Sequence, residues 1–455
     1  MFLFTSPRSL IRLFPRQQEQ DQAVTPSSRR RSSQKEVEMA WEMLAKPIQT
    51  PSTNGTPQEG QFSLIHIPLH LYSYLLQPIL RVLLPNPRPS TEPEDLTLDS
   101  AHGFLNISIT PIECSIVCHT SWARHLFRPA IEKLPREVRD QCQISRETYI
   151  VFAVQTTGME AGQRVMDLTA PLALAGIPIF FITTYYQDFI LVPSRDRSTV
   201  GSALLERGFE FSECDSAYVV PTAISHSRIP STASDAPPPS TPPPSNVAEL
   251  QAKTFSQLKK RSVIPFVEPG LHLVQCSGKE VLPEDYSNDV YPYSNGGGMN
   301  GHSSSNSTPS HLSTLDPVFY LGLISALSLT PKFLSLTLAT DDTPSLLIDK
   351  SLLYLFGNSL IGDKEGDLVP IFLDLSTLPL ESTGIVCGVA GKLVEEMRLG
   401  GFDAGGCGGG AAGNDGGGGA ELSYLSTARA GAVVLSSEGS ARALEALLPL
   451  LEKAG

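Results

Sequence analysis

The chain has 455 residues, 41% of them hydrophobic, which is enough for several compact units of ordinary size. Its 34 Lys and Arg against 47 Asp and Glu leave a net charge of −13, which argues against a sequence-independent grip on nucleic-acid phosphates and against docking on an anionic membrane. Seven scattered cysteines, an odd number in so long a chain, read as reduced thiols of a cytoplasmic protein rather than as a disulfide framework.

In chain order, residues 1–16 carry Arg8, Arg12 and Arg16 and no acid, as a mitochondrial presequence would, but Pro7 and Pro15 interrupt any amphipathic helix. Residues 17–60 are dominated by Gln, Ser, Arg, Pro and Thr. That composition buries too little apolar surface to offset ordering entropy, so 1–60 reads as a disordered arm. Residues 62–67 then read as a strand, 71–84 as an apolar helix interrupted by Pro78, 104–109 and 113–118 as two strands, and 121–134 as a helix. The pattern sharpens in 149–155 (strand), 159–174 (helix), 177–183 and 189–193 (strands), 198–207 (helix) and 209–212 (strand). The uncharged run 168–187 reaches spanning length, but Gly176 and Pro178 break it, so it reads as a buried helix leading into a buried strand.

Pro237, Pro238, Pro239, Pro242, Pro243 and Pro244 mark a polyproline linker, and beyond it the first half repeats. FLNISIT from Phe104 matches FLSLTLA from Phe333, each followed by a further strand, at an offset of roughly 220 to 230 residues. The polar stretches 293–313 and 400–419 read as loop insertions. The expected architecture is α+β: four ferredoxin-like βαββαβ units in two tandem pairs, with a disordered N-terminal arm and linker.

The chemistry-bearing residues point away from catalysis. Cys114, Cys118, His119 and His125 invite a metal, but strand positions four apart lie about 13 Å from one another, too far for one tetrahedral zinc. Cys118 and His119 are adjacent on a strand and face opposite ways, so core cysteine outweighs a nucleophile and its base. The Gly-rich 400–419 stretch lacks the GxxxxGK[ST] spacing of a phosphate loop, and Glu395 with Glu396 reads as a solvated helix edge. No enzyme activity, no cofactor and no metal is expected. What remains is binding: the turns at 156–160 with 177–179, and at 378–385, offer backbone N–H and C=O groups beside a helix N-terminus, which suit the carboxylate and ammonium of an amino acid. Ordinary turns are the plain alternative.

At APLALAGIPIFFITTYYQDFILV, residues 170–192, the chain resembles the second ACT domain of the CASTOR family, the cytosolic arginine sensors for TORC1. LHLYSYLLQPILRVLLP, the FLNISIT and PIECSIV hairpin, FLSLTLA and STGIVCGVAGKL resemble the family's first, third and fourth ACT domains in order. The resemblance implies ACT domains at 61–146, 147–214, 263–366 and 367–455, with a linker at 215–262. It also implies a cytoplasmic nutrient sensor that binds a free amino acid at an ACT–ACT interface and modulates a GATOR2-like complex, with a homodimer as a further option. The other reading is a ligand-free ACT scaffold.

Carried over one residue at a time, the family's partner-contact motif falls on Tyr185, Tyr186, Gln187 and Asp188, which implies that Tyr185 and Asp188 lie at the partner-facing edge of the second ACT domain rather than in its core. Its ligand-contacting positions fall on Ile177, Pro178 and Ile179, on Glu381, Ser382, Thr383, Gly384 and Ile385, and on Gly431. Pro178 replaces a hydroxyl and lacks an N–H, Ser382 replaces an acid with Glu381 one place off, and Gly431 replaces a guanidinium-facing Asp. Burying a guanidinium without a paired carboxylate is costly, so arginine is a doubtful ligand, and the alternatives are a different, neutral amino acid or no ligand.

Overall fold

The computed structural model describes residues 10–15, 61–84, 103–154, 161–207, 209–211, 244–280, 316–339, 342–400 and 422–452, and all of them but Pro15 belong to one compact unit. The stretches read as arm (17–60) and as insertions (293–313 and, past its first residue, 400–419), and most of the polyproline stretch, lie outside these residues. The elements of the first half are β1 (Leu10–Pro15), β2 (Phe62–Pro68), α1 (Tyr72–Leu83), β3 (Phe104–Ile109), β4 (Glu113–His119), β5 (Gln143–Ile144), β6 (Tyr149–Val154), α2 (Ala161–Leu174), β7 (Phe180–Thr183), β8 (Asp188–Pro193), α3 (Arg197–Glu206) and β9 (Phe209–Phe211). The second half supplies α4 (Val247–Lys260), β10 (Pro265–Phe266), β11 (Leu273–Gly278), α5 (Pro317–Ser328), β12 (Leu334–Ala339), β13 (Asp342–Asp349), β14 (Leu360–Ile361), β15 (Leu368–Asp374), α6 (Ile385–Gly400), β16 (Ser423–Ser426), β17 (Ala430–Ser436) and α7 (Ser437–Leu451).

Strand pairing overturns the expectation of four separate ferredoxin-like units in two tandem pairs. β3 of the first half lies antiparallel to β12 of the second over six residue pairs, from Leu334↔Ile109 to Ala339↔Phe104. β7 meets β16 at Ile182↔Leu425. The junctions β2–β6, at Phe62↔Tyr149, and β11–β15, at Leu273↔Leu368, complete a closed antiparallel sheet of 12 strands, in the order β3, β4, β2, β6, β8, β7, β16, β17, β15, β11, β13, β12. The physical reason is the edge strand. A separate unit would end at β3 or β7 with a row of unpaired backbone N–H and C=O groups, and pairing across the halves satisfies them. In the 1–60 stretch, β1 runs parallel to β6 from Leu10↔Val151 to Leu13↔Val154.

Closure explains why the strands are buried on both faces. On β2, Ile65 and Ile67 pack outward under α1, whereas Phe62 and Leu64 point inward with Phe104, Phe189, Phe333 and Phe372. A second outer core sits under α2, α4, α6 and α7 and includes Phe152, Phe181, Leu373, Val389, Leu393 and Leu447. Helix starts are capped from the sequence: Asn246 accepts the Glu249 N–H at 2.8 Å before α4, and Ser436 accepts the Gly439 N–H at 3.2 Å before α7. The β3–β12 seam carries its own polar fastening inside the ring. Asn106 donates to Thr337 Oγ1 at 3.0 Å and to Leu336 O at 3.3 Å, while Ser108 donates to Asn106 Oδ1 at 2.8 Å. Among the described residues no helix is long and apolar enough to cross a membrane.

Because the seams join the two halves, a protease site placed within 232–243 should yield a cut chain that still elutes as one particle on size-exclusion chromatography, separating only in denaturant. Two independent peaks in native buffer would contradict the cross-half pairing.

Candidate functional site

The β7–β16 seam is short in the chain but well tied. The Tyr424 N–H donates to Thr183 Oγ1 at 3.0 Å, and the Phe181 N–H donates to Ser426 Oγ at 3.0 Å. Beside it, the 375–384 segment and the first turn of α6 close a cavity whose lining includes Ile179, Leu378, Ser382, Gly384, Ile385, Val386, Tyr424 and Ser426. The cavity measures about 510 Å³ with its open mouth included. Among the described residues, none of those lining it is charged.

Its geometry depends on two glycines. Gly384 sits at φ +81°, and a Cβ there would fall 2.9 Å from Leu250 Cδ1 and 3.0 Å from Thr254 Oγ1. α6 then begins with the Gly388 N–H donating to Gly384 O at 2.7 Å. The N–H groups of Ile385 and Val386 precede the first intrahelical bond and border the cavity, so its rim carries backbone donors and the positive end of a helix dipole. Gly431 lies on β17, and a Cβ there would stand 2.9 Å from the Tyr424 phenol oxygen.

The β16–β17 hairpin, which forms one wall, is clamped from the first half. Buried Glu113 accepts hydrogen bonds from Thr427 Oγ1 at 2.6 Å and from the Arg429 N–H, and its other oxygen meets His66 Nδ1 at 2.5 Å. Ser115 Oγ accepts the Ala428 N–H at 3.1 Å. The hydroxyls of Ser426 and Thr427 are thereby committed. The Tyr424 phenol oxygen and Ser382 Oγ are not: both are shielded from solvent and have no hydrogen-bond partner among the described residues. Burial pushes the Tyr424 phenol far up, so it stays a neutral hydroxyl.

Of the positions expected to meet a ligand, the structure gathers Ile179, Ser382, Gly384 and Ile385 around one cavity. Ile177 is a core residue, and Pro178 is buried without lining the cavity. Thr383 bridges two lining residues, and Gly431 lies beneath Tyr424. Glu381, the carboxylate nearest in sequence, faces a neighbouring hollow with Arg429, Gln143 and His66 instead. Residues 156–160, expected to form a matching turn, lie outside the described residues. Sequence reasoning missed Tyr424, since a tyrosine in an apolar strand reads as core; only its paired partner being Val433 beside Gly431 hinted at space around the hydroxyl. Burial also raises the Cys114 and Cys118 thiols, which remain neutral core groups, and no metal-holding cluster occurs among the described residues.

Residues 144–206, which hold β6, α2, β7, β8 and α3, match the ACT domain family, so the chain carries an ACT domain. Among solved structures, the chain is similar to a protein from Agobacterium tumefaciens at 19% identity, over 32% of this chain and 83% of that one, with a TM-score of 0.19. It is also similar to an aspartate kinase from Synechocystis at 11% identity, over 90% of this chain and 60% of the kinase, with a TM-score of 0.24. No curated protein matches the chain.

The turn before β8 lies outside the core at Tyr185, as expected, and departs from the expected placement at Asp188. Tyr185 and Tyr186 are exposed, at 36% and 54%, with their rings edge to face at 4.8 Å. The turn itself is pinned to the second half: the Tyr185 N–H donates to Ser345 Oγ at 2.8 Å, and buried Gln187 donates to Asp342. Asp188, expected at an exposed edge, is 1% exposed and receives Arg164 Nε at 2.5 Å, because β8 runs inward from this residue and carries its side chain under α2. Desolvation raises the Asp188 carboxyl above its usual range, and Arg164 pulls it partly back. The folded chain therefore holds that proton more tightly than the unfolded chain, and stability falls as pH rises from the ordinary carboxylate range through the folded value. Arg164→Met removes the counter-charge, so it should cost about 3–5 kcal/mol near neutral pH. The loss should shrink as the buffer is acidified and Asp188 takes up its proton, because the raised carboxyl is protonated ahead of an ordinary one. Urea midpoints measured across that range check this, and a loss independent of pH would contradict it.

Proposed function

We propose that this protein is an amino-acid-binding regulatory protein whose ligand enters the cavity beside the β7–β16 seam, with its carboxylate at the first turn of α6. One observation carries the reading: Tyr424 and Ser382, two residues lining one cavity that opens on a helix N-terminus, each carry a solvent-shielded hydroxyl with no hydrogen-bond partner among the described residues. Leaving a buried polar atom unpaired costs about 1–3 kcal/mol, a penalty that an occupant with its own hydrogen-bonding groups removes. ACT domains are typically amino-acid-binding regulatory modules, and the β7 wall of the cavity falls within the matched residues. Helix N-termini accept carboxylates through their unpaired N–H groups.

The finer reading is a nutrient sensor of the TORC1 pathway that answers to a GATOR2-like complex. Its support is the likeness of 170–192 and four other segments to the CASTOR family, together with the exposed pair Tyr185 and Tyr186 as a contact surface. The cavity offers a guanidinium no carboxylate, since Glu381 faces the neighbouring hollow, so arginine is disfavoured.

Thermal-shift measurements of the full chain against each of the twenty amino acids should show a selective rise in melting temperature. A ligand at about a hundred times its dissociation constant adds about 2.7 kcal/mol of stability. Ser382→Leu, which fills the cavity from a partly exposed loop, should abolish the shift while leaving the unliganded melting temperature nearly unchanged. A flat profile for the native chain would overturn the reading and favour a ligand-free scaffold.

A further inference from the structure

Resting on the amino-acid site just proposed, we infer that the Tyr424 hydroxyl, assisted by Ser382, selects a ligand with a neutral hydrogen-bonding side chain, of the hydroxyl or carboxamide class, over its apolar isostere. Every other polar side-chain group lining the cavity already has a partner: Ser426 serves the Phe181 N–H, and Thr427 is held by Glu113 and the Ala430 N–H. Tyr424 is 1% exposed, and its oxygen occupies the space into which a side chain at position 431 would project. Glycine at 431 and tyrosine at 424 therefore act together. The glycine leaves room for the phenol oxygen, and the phenol puts a neutral donor and acceptor where an acid at 431 would put a charge.

A neutral hydroxyl in an uncharged cavity gives a cation no counter-charge, and it gives an aliphatic side chain no relief for the unpaired oxygen. A hydroxyl or carboxamide side chain pairs with it. A site of this kind discriminates sharply, because the wrong ligand leaves the protein's own polar group buried and unsatisfied.

The test is titration calorimetry of the full chain with matched pairs, threonine against valine, serine against alanine and glutamine against methionine. The hydrogen-bonding member of one pair should bind about ten- to a hundredfold more tightly. In Tyr424→Phe that preference should collapse to within about threefold, with the apolar member binding as before and the melting temperature of the free protein unchanged or raised. Ser382→Ala, on a loop outside the core, should reduce the preference without affecting the fold, and it carries the test alone if Tyr424→Phe does not fold. Equal affinity within every pair for the native chain would overturn the inference and leave the amino-acid site standing. So would a Tyr424→Phe loss of equal size for all ligands, which would mean that the hydroxyl contacts the ligand's common backbone groups. Absence of binding by all six amino acids would overturn the inference, and a flat profile across all twenty would overturn the amino-acid site as well.

Discussion

Edge strands from opposite halves of the chain, β3 with β12 and β7 with β16, satisfy one another's backbone hydrogen bonds, and the other features of the molecule follow from that pairing. Once the seams form, the sheet closes, and each strand must bury both faces, one under helices and one against the aromatic interior around Phe104, Phe189 and Phe372. Closure also brings residues more than two hundred positions apart into one wall, as at Phe181 N–H and Ser426 Oγ. The candidate site exists only because the halves are joined. Ile179 comes from the first, whereas Ser382, Ile385 and Tyr424 come from the second.

Around that site the polar groups divide into two populations. Glu113, Ser115, Thr427 and the turn N–H groups of Ala428 and Arg429 form a saturated clamp that fixes the β16–β17 hairpin. A satisfied buried network of this sort rigidifies the element that carries it. The Tyr424 and Ser382 hydroxyls, by contrast, have no hydrogen-bond partner among the described residues. A rigid wall holding unpaired donors is the arrangement that pre-organised binding requires, since little ordering remains to be done when a ligand arrives.

Much of the element order was legible, because 149–155, 159–174 and 189–193 carry clear strand and helix periods, and β6, α2 and β8 form there. The strand expected at 177–183 begins only at Phe180, since the Ile177 N–H turns back to Leu172 O across Gly176 at φ +73° and Pro178 has no N–H to give to a ladder. The closed sheet was not legible. A strand buried on both faces shows no alternation to say which edge it pairs with, and the matched segments FLNISIT and FLSLTLA, which read as a repeat and occupy equivalent places in the two halves, are also partners across a seam. Asp188 was misplaced for a related reason: an acid after an exposed Tyr-Tyr turn reads as surface, and only the position of Arg164 on α2 makes its burial affordable. The ligand cradle was half legible, as the Gly384 turn and helix start could be read from the chain, but the orphaned Tyr424 hydroxyl required the cross-half geometry.

Hydrogen–deuterium exchange with and without the amino acid that raises the melting temperature most tests the central claim directly. A pocket built by the β7–β16 seam predicts protection concentrated in residues 179–183, 378–388 and 422–431 together, on both sides of the seam, with the β3–β12 seam unchanged. Protection confined to one half of the chain, or centred away from these three segments, would contradict it.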